Sequence, residues 1–211
     1  MPDYLAGENL AEIVGGLLAE AKRPGVSKPN VPLSKKQIEI HYDDLYMGYL
    51  KKLGEVERRL KAADLKAANA NFSEFRELKH EELFILNSIR LHEGYFDNLG
   101  SSKPTAHITK AVAADFGSMA KWETNFIACG LSARGWAVLG YDCHTKSLVN
   151  VITDSHDMGM WGVEPLLILD MYEHAYMIDF GSDKSKYIEF FMKNVNWSEV
   201  TNRLSECTDE R

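Results

Sequence analysis

Apolar residues recur with a helical period through the first part of the chain. From Ile38 onward they stand three or four positions apart, in a stripe that includes Leu45 and Tyr49, and this spacing places them on one face of a helix. Ser34 precedes the stripe, and Gln37 lies three positions after Ser34. This is the capping-box pattern that marks the start of a helix.

A second apolar stripe covers residues 73–98 and ends where glycine and two serines stop the helix. Two long helices with a short connection predict an antiparallel hairpin. The pattern then shortens into segments typical of strands and of shorter helices. The predicted strands are residues 135–141, 148–153 and 166–170, and the predicted helices are residues 105–114, 118–129, 172–180, 185–194 and 198–204.

These elements predict an α+β fold. An N-terminal antiparallel hairpin of long helices is followed by a C-terminal α/β half with a three-stranded antiparallel sheet. We expect an N-terminal arm over residues 1–33 with a short amphipathic helix at residues 10–21, a helical hairpin domain over residues 34–100 and an α/β domain over residues 105–211.

Composition and charge narrow the function. Hydrophobic residues make up 45% of the chain and charged residues 26%, as in ordinary globular proteins. The 24 basic and 31 acidic residues give a net charge of −7, which argues against nucleic acid as a partner. No apolar stretch approaches the ~20 residues of a membrane helix, and no secretory signal opens the chain. We therefore expect a cytoplasmic protein with a small-molecule substrate and neither membrane nor nucleic-acid partners.

Four residues could form a metal site. Asp170 closes an apolar strand and His174 follows four residues later, so both side chains can converge on one point. His41 lies at the edge of the first helical stripe and His92 lies on the second. Each alone is more typical of a helix cap or a core histidine. Together, three imidazoles and one carboxylate could bind Fe or Mn and leave one coordination position open.

The surrounding segments resemble iron/manganese superoxide dismutases, in the order in which that family carries them. The matching segments are Gln37-Ile38-Glu39-Ile40-His41 with Tyr49, His92 with Asn98-Leu99, Gly135-Trp136, Pro165-Leu166-Leu167, Asp170-Met171-Tyr172-Glu173-His174-Ala175-Tyr176 and, more loosely, Asn194-Val195-Asn196-Trp197. The resemblance implies one Fe or Mn ion per subunit, bound by His41, His92, Asp170 and His174.

The resemblance also implies roles for neighbouring residues. Tyr49 would gate the site and relay protons, and His156 would tune metal-bound solvent from a position where the family usually has Gln. His156 favours iron or dual metal use, although the ligand set itself does not choose between Fe and Mn. Family members are typically homodimers in which Glu173 would bond the ligand histidine of the other subunit, the equivalent of His174.

The pocket lining departs from the family, and this leaves the substrate open. Leu45 and Met177 replace a polar pair that usually bridges the subunits, and three positions that usually carry Trp are Phe96, Val138 and Tyr172. With Trp136, these residues predict a wider, more apolar pocket. The chain could therefore be a superoxide dismutase. It could also be a repurposed lyase, decarboxylase or oxygenase-type enzyme for an apolar or aromatic substrate, or a non-catalytic metal-binding protein.

The other histidines and two acidic residues near His92 are not expected to take part in the site. His80, His107 and His144 have no partner at metal-ligand spacing and are predicted to be surface residues. Glu93 and Asp97 flank His92 and are expected to face solvent or a subunit contact.

Overall fold

The structure, a computed structural model, describes residues 26–209 and confirms the α+β class. The predicted arm helix at residues 10–21 lies outside the described residues. Within residues 26–209, no helix combines the length and apolar character that crossing a bilayer requires.

The helices are α1 (Lys35–Ile38), continued by a π-helical segment (Glu39–Tyr46), α2 (Met47–Ala62), α3 (Glu74–Asn98), α4 (Ala106–Phe116), α5 (Met119–Ser132), α6 (Met177–Phe180), α7 (Lys184–Lys193) and α8 (Trp197–Asp209).

The helical hairpin begins at the predicted caps. The Ser34 hydroxyl accepts a hydrogen bond from the Gln37 backbone N–H at 3.1 Å, and Ser73 accepts one from Arg76 at 3.3 Å. A short 3₁₀ turn (Leu65–Ala67) joins the two arms of the hairpin. Helices α2 and α3 then pack against each other, so the predicted hairpin is confirmed.

The predicted apolar stripe of the first helix is wrong over one turn. Leu45 is only half-buried, whereas its neighbour Tyr46 is fully buried and Leu50 lies in the core. The cause is the π-helical segment, whose wider turns move later residues around the helix axis relative to an α-helix. The same segment buries His41, which the α-helical period had placed at the edge of the stripe.

The predicted capping box is only half formed. Ser34 caps the helix, but the buried Gln37 side chain does not turn back toward it. Instead its Nε2 donates to the backbone oxygen of His174 and its Oε1 accepts from the Ile178 N–H at 3.3 Å. The first helical turn is thereby fastened to the segment that follows the sheet.

The predicted three-stranded sheet is confirmed, with strands β1 (Trp136–Asp142), β2 (Ser147–Thr153) and β3 (Val163–Asp170) in the order β2-β1-β3, antiparallel throughout. Trp136 pairs with both Thr153 and Asp170, so these three side chains share one face. Further along that face lie three apolar residues: Val138, Val151 and Ile168.

Helix α3 packs closely against this face at Gly94. A Cβ atom added to Gly94 would lie 2.2 Å from Cδ1 of Ile168, so any larger residue would force the Ile168 side chain to move. The close approach places residues of α3 opposite the end of β3, which carries Asp170.

The predicted helix over residues 172–180 is wrong. A 3₁₀ turn (Glu173–Ala175) and the single-turn helix α6 replace it. Asp170 Oδ1 accepts a hydrogen bond from the Tyr172 N–H at 2.9 Å, and Tyr172 keeps an extended backbone. Such a local carboxylate bond competes with a continuous helix and holds His174 beside the strand end.

Candidate metal centre

Four side chains from four elements converge at the end of β3. They are His41 from the π-helical segment, His92 from α3, Asp170 from β3 and His174 from the 3₁₀ turn. Their potential ligand atoms all lie within 4.8 Å of one another. The Nε2 atoms of His41 and His174 are each 3.1 Å from Asp170 Oδ2, and that of His92 is 3.7 Å away.

Two nitrogens in this cluster are buried without a hydrogen-bond partner of suitable geometry among the described residues. They are Nε2 of His41, which is 2% exposed, and Nε2 of His92. Leaving such an atom unsatisfied costs about 1–3 kcal/mol. His92 Nδ1 lies 2.6 Å from the Ser88 backbone oxygen and donates its N–H there, so the Nε2 lone pair faces the cluster. A metal ion at the centre would satisfy both nitrogens.

The electrostatics also suit a metal ion. Burial lowers the pKa of His41, and burial together with the nearby His41 lowers the pKa of His92 to about 3, so both rings are neutral near pH 7. Burial acts to raise the pKa of Asp170, but the charge of His174, its hydrogen bond to Asp170 and the nearby imidazole of His41 bring that pKa below its usual range. Neutral imidazoles and an ionised carboxylate are the protonation states that metal ligands require.

A hydrogen-bonded row of three side chains borders the cluster. The Trp136 indole N–H donates to His156 Nδ1 at 2.9 Å. Because an indole can only donate, the His156 proton resides on Nε2, which lies 3.2 Å from the Tyr49 hydroxyl and donates to it. Burial lowers the pKa of His156 to about 4 and raises that of Tyr49, so both are uncharged near neutral pH.

Comparisons with known proteins address the same centre. Residues 104–203 match the family model described as iron/manganese superoxide dismutases, C-terminal domain. A superoxide dismutase [Fe] of Aquifex aeolicus is 37% identical over 182 residues, covering 83% of this chain and 85% of the relative. One from Cupriavidus metallidurans is 37% identical over 177 residues, covering 82% and 89%. The chain belongs to the iron/manganese superoxide dismutase family.

A further relative carries the manganese name. Superoxide dismutase [Mn] 1 of Halobacterium salinarum is 40% identical over 111 residues, which cover 52% of this chain and 56% of the relative. Names with iron and with manganese both occur among the relatives, so family membership supports a cofactor of Fe/Mn type without choosing between the two metals.

Aromatic rings surround the cluster of this family member. The Tyr172 ring stacks on His174 with centroids 5.3 Å apart and lies 4.8 Å from the ring of His156. Phe96 packs edge-on against His41 at 5.1 Å. Thus Tyr172 and Phe96, two of the predicted lining residues, do contact the centre.

Four further predicted residues lie apart from one another. Val138 is buried on the sheet face, Leu45 is half-buried, and Glu173 and Met177 are exposed. The exposure of Glu173 leaves it available for a subunit contact.

The predicted widened pocket does not appear as one space. A cavity of about 630 Å³ is lined by His156 and Val138. Leu45, Phe96 and Tyr172 do not line it. A second space of about 430 Å³ is lined by Tyr172, His174 and polar residues near them. The predicted lining residues therefore do not line one common pocket.

Sequence reasoning missed two buried polar residues near the centre. Glu93, expected to face solvent or a subunit, is 5% exposed, and its Oε1 accepts a hydrogen bond from the Tyr46 hydroxyl at 2.7 Å. This prediction is wrong because the π-helical segment turns Tyr46 inward. Gln37 looked like a capping residue and instead holds the His174 backbone. His80 and His144 are exposed, as predicted, and so is His107.

Proposed function

We propose that this chain is a mononuclear Fe/Mn enzyme that disproportionates superoxide to dioxygen and hydrogen peroxide. The observation that carries this function is the convergence of three imidazoles and one carboxylate, with two buried nitrogens unpartnered among the described residues, in a member of the superoxide dismutase family. The alternative of a repurposed lyase, decarboxylase or oxygenase has no support, since the relatives are named superoxide dismutases.

His41, His92, Asp170 and His174 would hold the ion. When bound, a redox-active Fe or Mn ion supplies the one-electron oxidation and reduction that disproportionation of superoxide needs. The four side chains come from elements that the core fixes, and Asp170 and His92 are fully buried. The geometry of the site is therefore set before the ion binds.

Tyr49 is proposed to hold a proton beside the reacting molecule. Its hydroxyl oxygen accepts from His156, and its own hydrogen can be donated either to the Ser88 side chain or toward the centre. Burial raises the pKa of Tyr49, which keeps the phenol protonated near neutral pH. His156 in turn is fixed by Trp136, so the row orients one donor.

The rings around His41 are proposed to exclude bulk water. Its ring lies 5.1 Å from Phe96 and 5.2 Å from Tyr95, both of which are buried. Exclusion of water strengthens the electrostatic interactions among the four groups.

A homodimer is proposed as the assembly, with exposed Glu173 bonding the equivalent of His174 in the other subunit. A cytoplasmic location, a preference for iron or dual metal use and the division into a hairpin domain and an α/β domain also stay predictions. Sedimentation of the wild type and of Glu173→Gln tests the assembly: we expect a dimer that the variant weakens, and a monomeric wild type would contradict it.

A direct superoxide assay on metal-loaded protein tests the activity. We expect consumption far above that of free metal in buffer, and an equal rate would contradict the proposal. Tyr49→Phe should retain the metal and lower the rate roughly 10-fold or more, because only the proton donor is lost. Tyr42→Phe is the matched control, since the Tyr42 hydroxyl bonds the Val26 backbone oxygen instead.

A further inference from the structure

One side of α3 presents a column of residues to Tyr49, the proposed proton donor. Phe84, Ser88 and His92 follow one another at intervals of four positions, which places them on the same side of the helix. The Tyr49 ring lies 6.4 Å from the ring of Phe84 and 5.6 Å from that of His92. Ser88 stands between these two residues in the column and is fully buried. Its hydroxyl is therefore enclosed beside Tyr49.

The hydrogen bonds of Ser88 decide which of the two hydroxyls donates. Ser88 donates its own hydrogen to the Phe84 backbone oxygen at 2.7 Å. A serine hydroxyl has one hydrogen and two lone pairs, so toward Tyr49 it can only accept. The Tyr49 and Ser88 side chains are hydrogen-bonded, and Tyr49 is thus the donor. On its other side the Tyr49 oxygen accepts from His156 Nε2 at 3.2 Å.

Ser88 also orients a candidate metal ligand, but through a different atom. Its backbone oxygen lies 2.6 Å from His92 Nδ1 and accepts the hydrogen of that nitrogen. A change of the Ser88 side chain removes the bond to Tyr49 and leaves the backbone bond to His92 in place. The two contacts can therefore be separated by mutation.

We propose that Ser88 is a positioning residue for dismutation, which holds the Tyr49 hydroxyl beside the centre by accepting its hydrogen between turnovers. The phenol oxygen is then fixed by two bonds, one from the loop after β2 and one from α3. When substrate is present, the Tyr49 hydrogen turns from Ser88 toward the reacting molecule, and Ser88 keeps its bond to Phe84. This inference rests on the proposed function, whereas the bond that it invokes can be measured without turnover.

Ultraviolet resonance Raman spectra of the metal-loaded protein test the bond. The intensity ratio of the tyrosine Fermi doublet rises when a phenol stops donating a hydrogen bond and only accepts one. Subtracting the spectrum of the matching Tyr49→Phe protein isolates Tyr49, and we expect its ratio to rise in Ser88→Ala. Ser132→Ala is the matched control, because the Ser132 hydroxyl likewise donates to the backbone oxygen four positions earlier but lies far from the site in an exposed turn.

Stopped-flow kinetics of superoxide consumption test the positioning role. Ser88→Ala should keep the metal content and the KM of the wild type and lower kcat about 3- to 5-fold, because one bond instead of two then holds the donor. In the Tyr49→Phe background the same change should have no further effect, since the donor is already absent. Ser132→Ala should match the wild type.

The two measurements separate this proposal from the proposed function. An unchanged Tyr49 doublet in Ser88→Ala would overturn the proposal even if the wild type is a fast dismutase. An equal loss of kcat with and without the Tyr49 hydroxyl would also overturn it, because Ser88 would then act only through the helix. An inactive wild type with a shifted doublet would instead overturn the proposed function and support the bond between Ser88 and Tyr49.

Discussion

Two groups of buried polar side chains lie next to each other in this core, and only one of them is satisfied internally. The Tyr187 hydroxyl donates to the Tyr95 hydroxyl at 3.0 Å, and both side chains are completely buried. The Tyr95 ring lies only 5.2 Å from that of His41, whose Nε2 lacks a suitably aligned partner among the described residues. Burial of a polar atom is thus ordinary, whereas burial without a partner marks a place where something binds.

The largest expected effect comes from removing a member of the unsatisfied group. His92→Ala should reduce Fe and Mn content to less than about a tenth of the wild-type value and abolish measurable dismutation, because three ligands hold the ion far more weakly than four. Elemental analysis of purified protein measures this. His80→Ala, an exposed histidine on the same helix, should change neither quantity. Equal metal content in the wild type and His92→Ala would contradict the metal centre.

Loosening the segment around the centre should have a smaller effect. Gln37→Met removes both bonds to the segment that carries His174 while keeping the side-chain length, so we expect metal affinity to fall about 10-fold. Competition with a chelator measures the affinity. Ser34→Ala weakens the same helix start without touching those bonds and serves as the control. A similar loss of affinity in both variants would show that Gln37 acts only through helix stability.

Lowering the pH should destabilise the folded protein through His156, which is buried but is not one of the candidate metal ligands. Its pKa of about 4 is below the ordinary 6.5, so the unfolded chain binds the proton more readily. The contribution of His156 to the unfolding free energy is therefore full above pH 6.5 and declines as the pH falls toward 4. Between these values the wild type should lose about 1 kcal/mol per pH unit more than His156→Gln, as measured by urea unfolding in the same metal state. Parallel pH profiles would contradict this.

Changes to the hydrogen-bonded pair of Tyr187 and Tyr95 should have the smallest effect and should leave metal binding unaltered. Tyr187→Phe deprives the buried Tyr95 hydroxyl of its partner and should lower the unfolding free energy by about 1–2 kcal/mol. Replacing both tyrosines with Phe should cost less than the two single changes added together, because no polar atom then remains unpaired. A lower metal content in either variant would contradict the independence of the tyrosine pair and the metal centre.

Most elements and the candidate ligands could be predicted from the sequence, because caps and periodicity are local signals. Ser34, Ser73 and Ser118 each cap the helix that follows. The errors arose where a tertiary contact overrides a local preference. Gln37 has the position of a capping residue, but its amide meets the His174 backbone, which is distant in sequence. The π-helical segment likewise has no periodic signature, so the burial of Tyr46 and its bond to Glu93 could not be read from the chain.

The sequence by itself determined the order of helices and strands, the family and the set of three histidines and one aspartate, since spacing and residue type are written along the chain. Only the tertiary structure decided which atoms remain without partners. Partnership depends on distances between residues far apart in sequence: Trp136 fixes the proton of His156, and the Gln37 amide meets the His174 backbone.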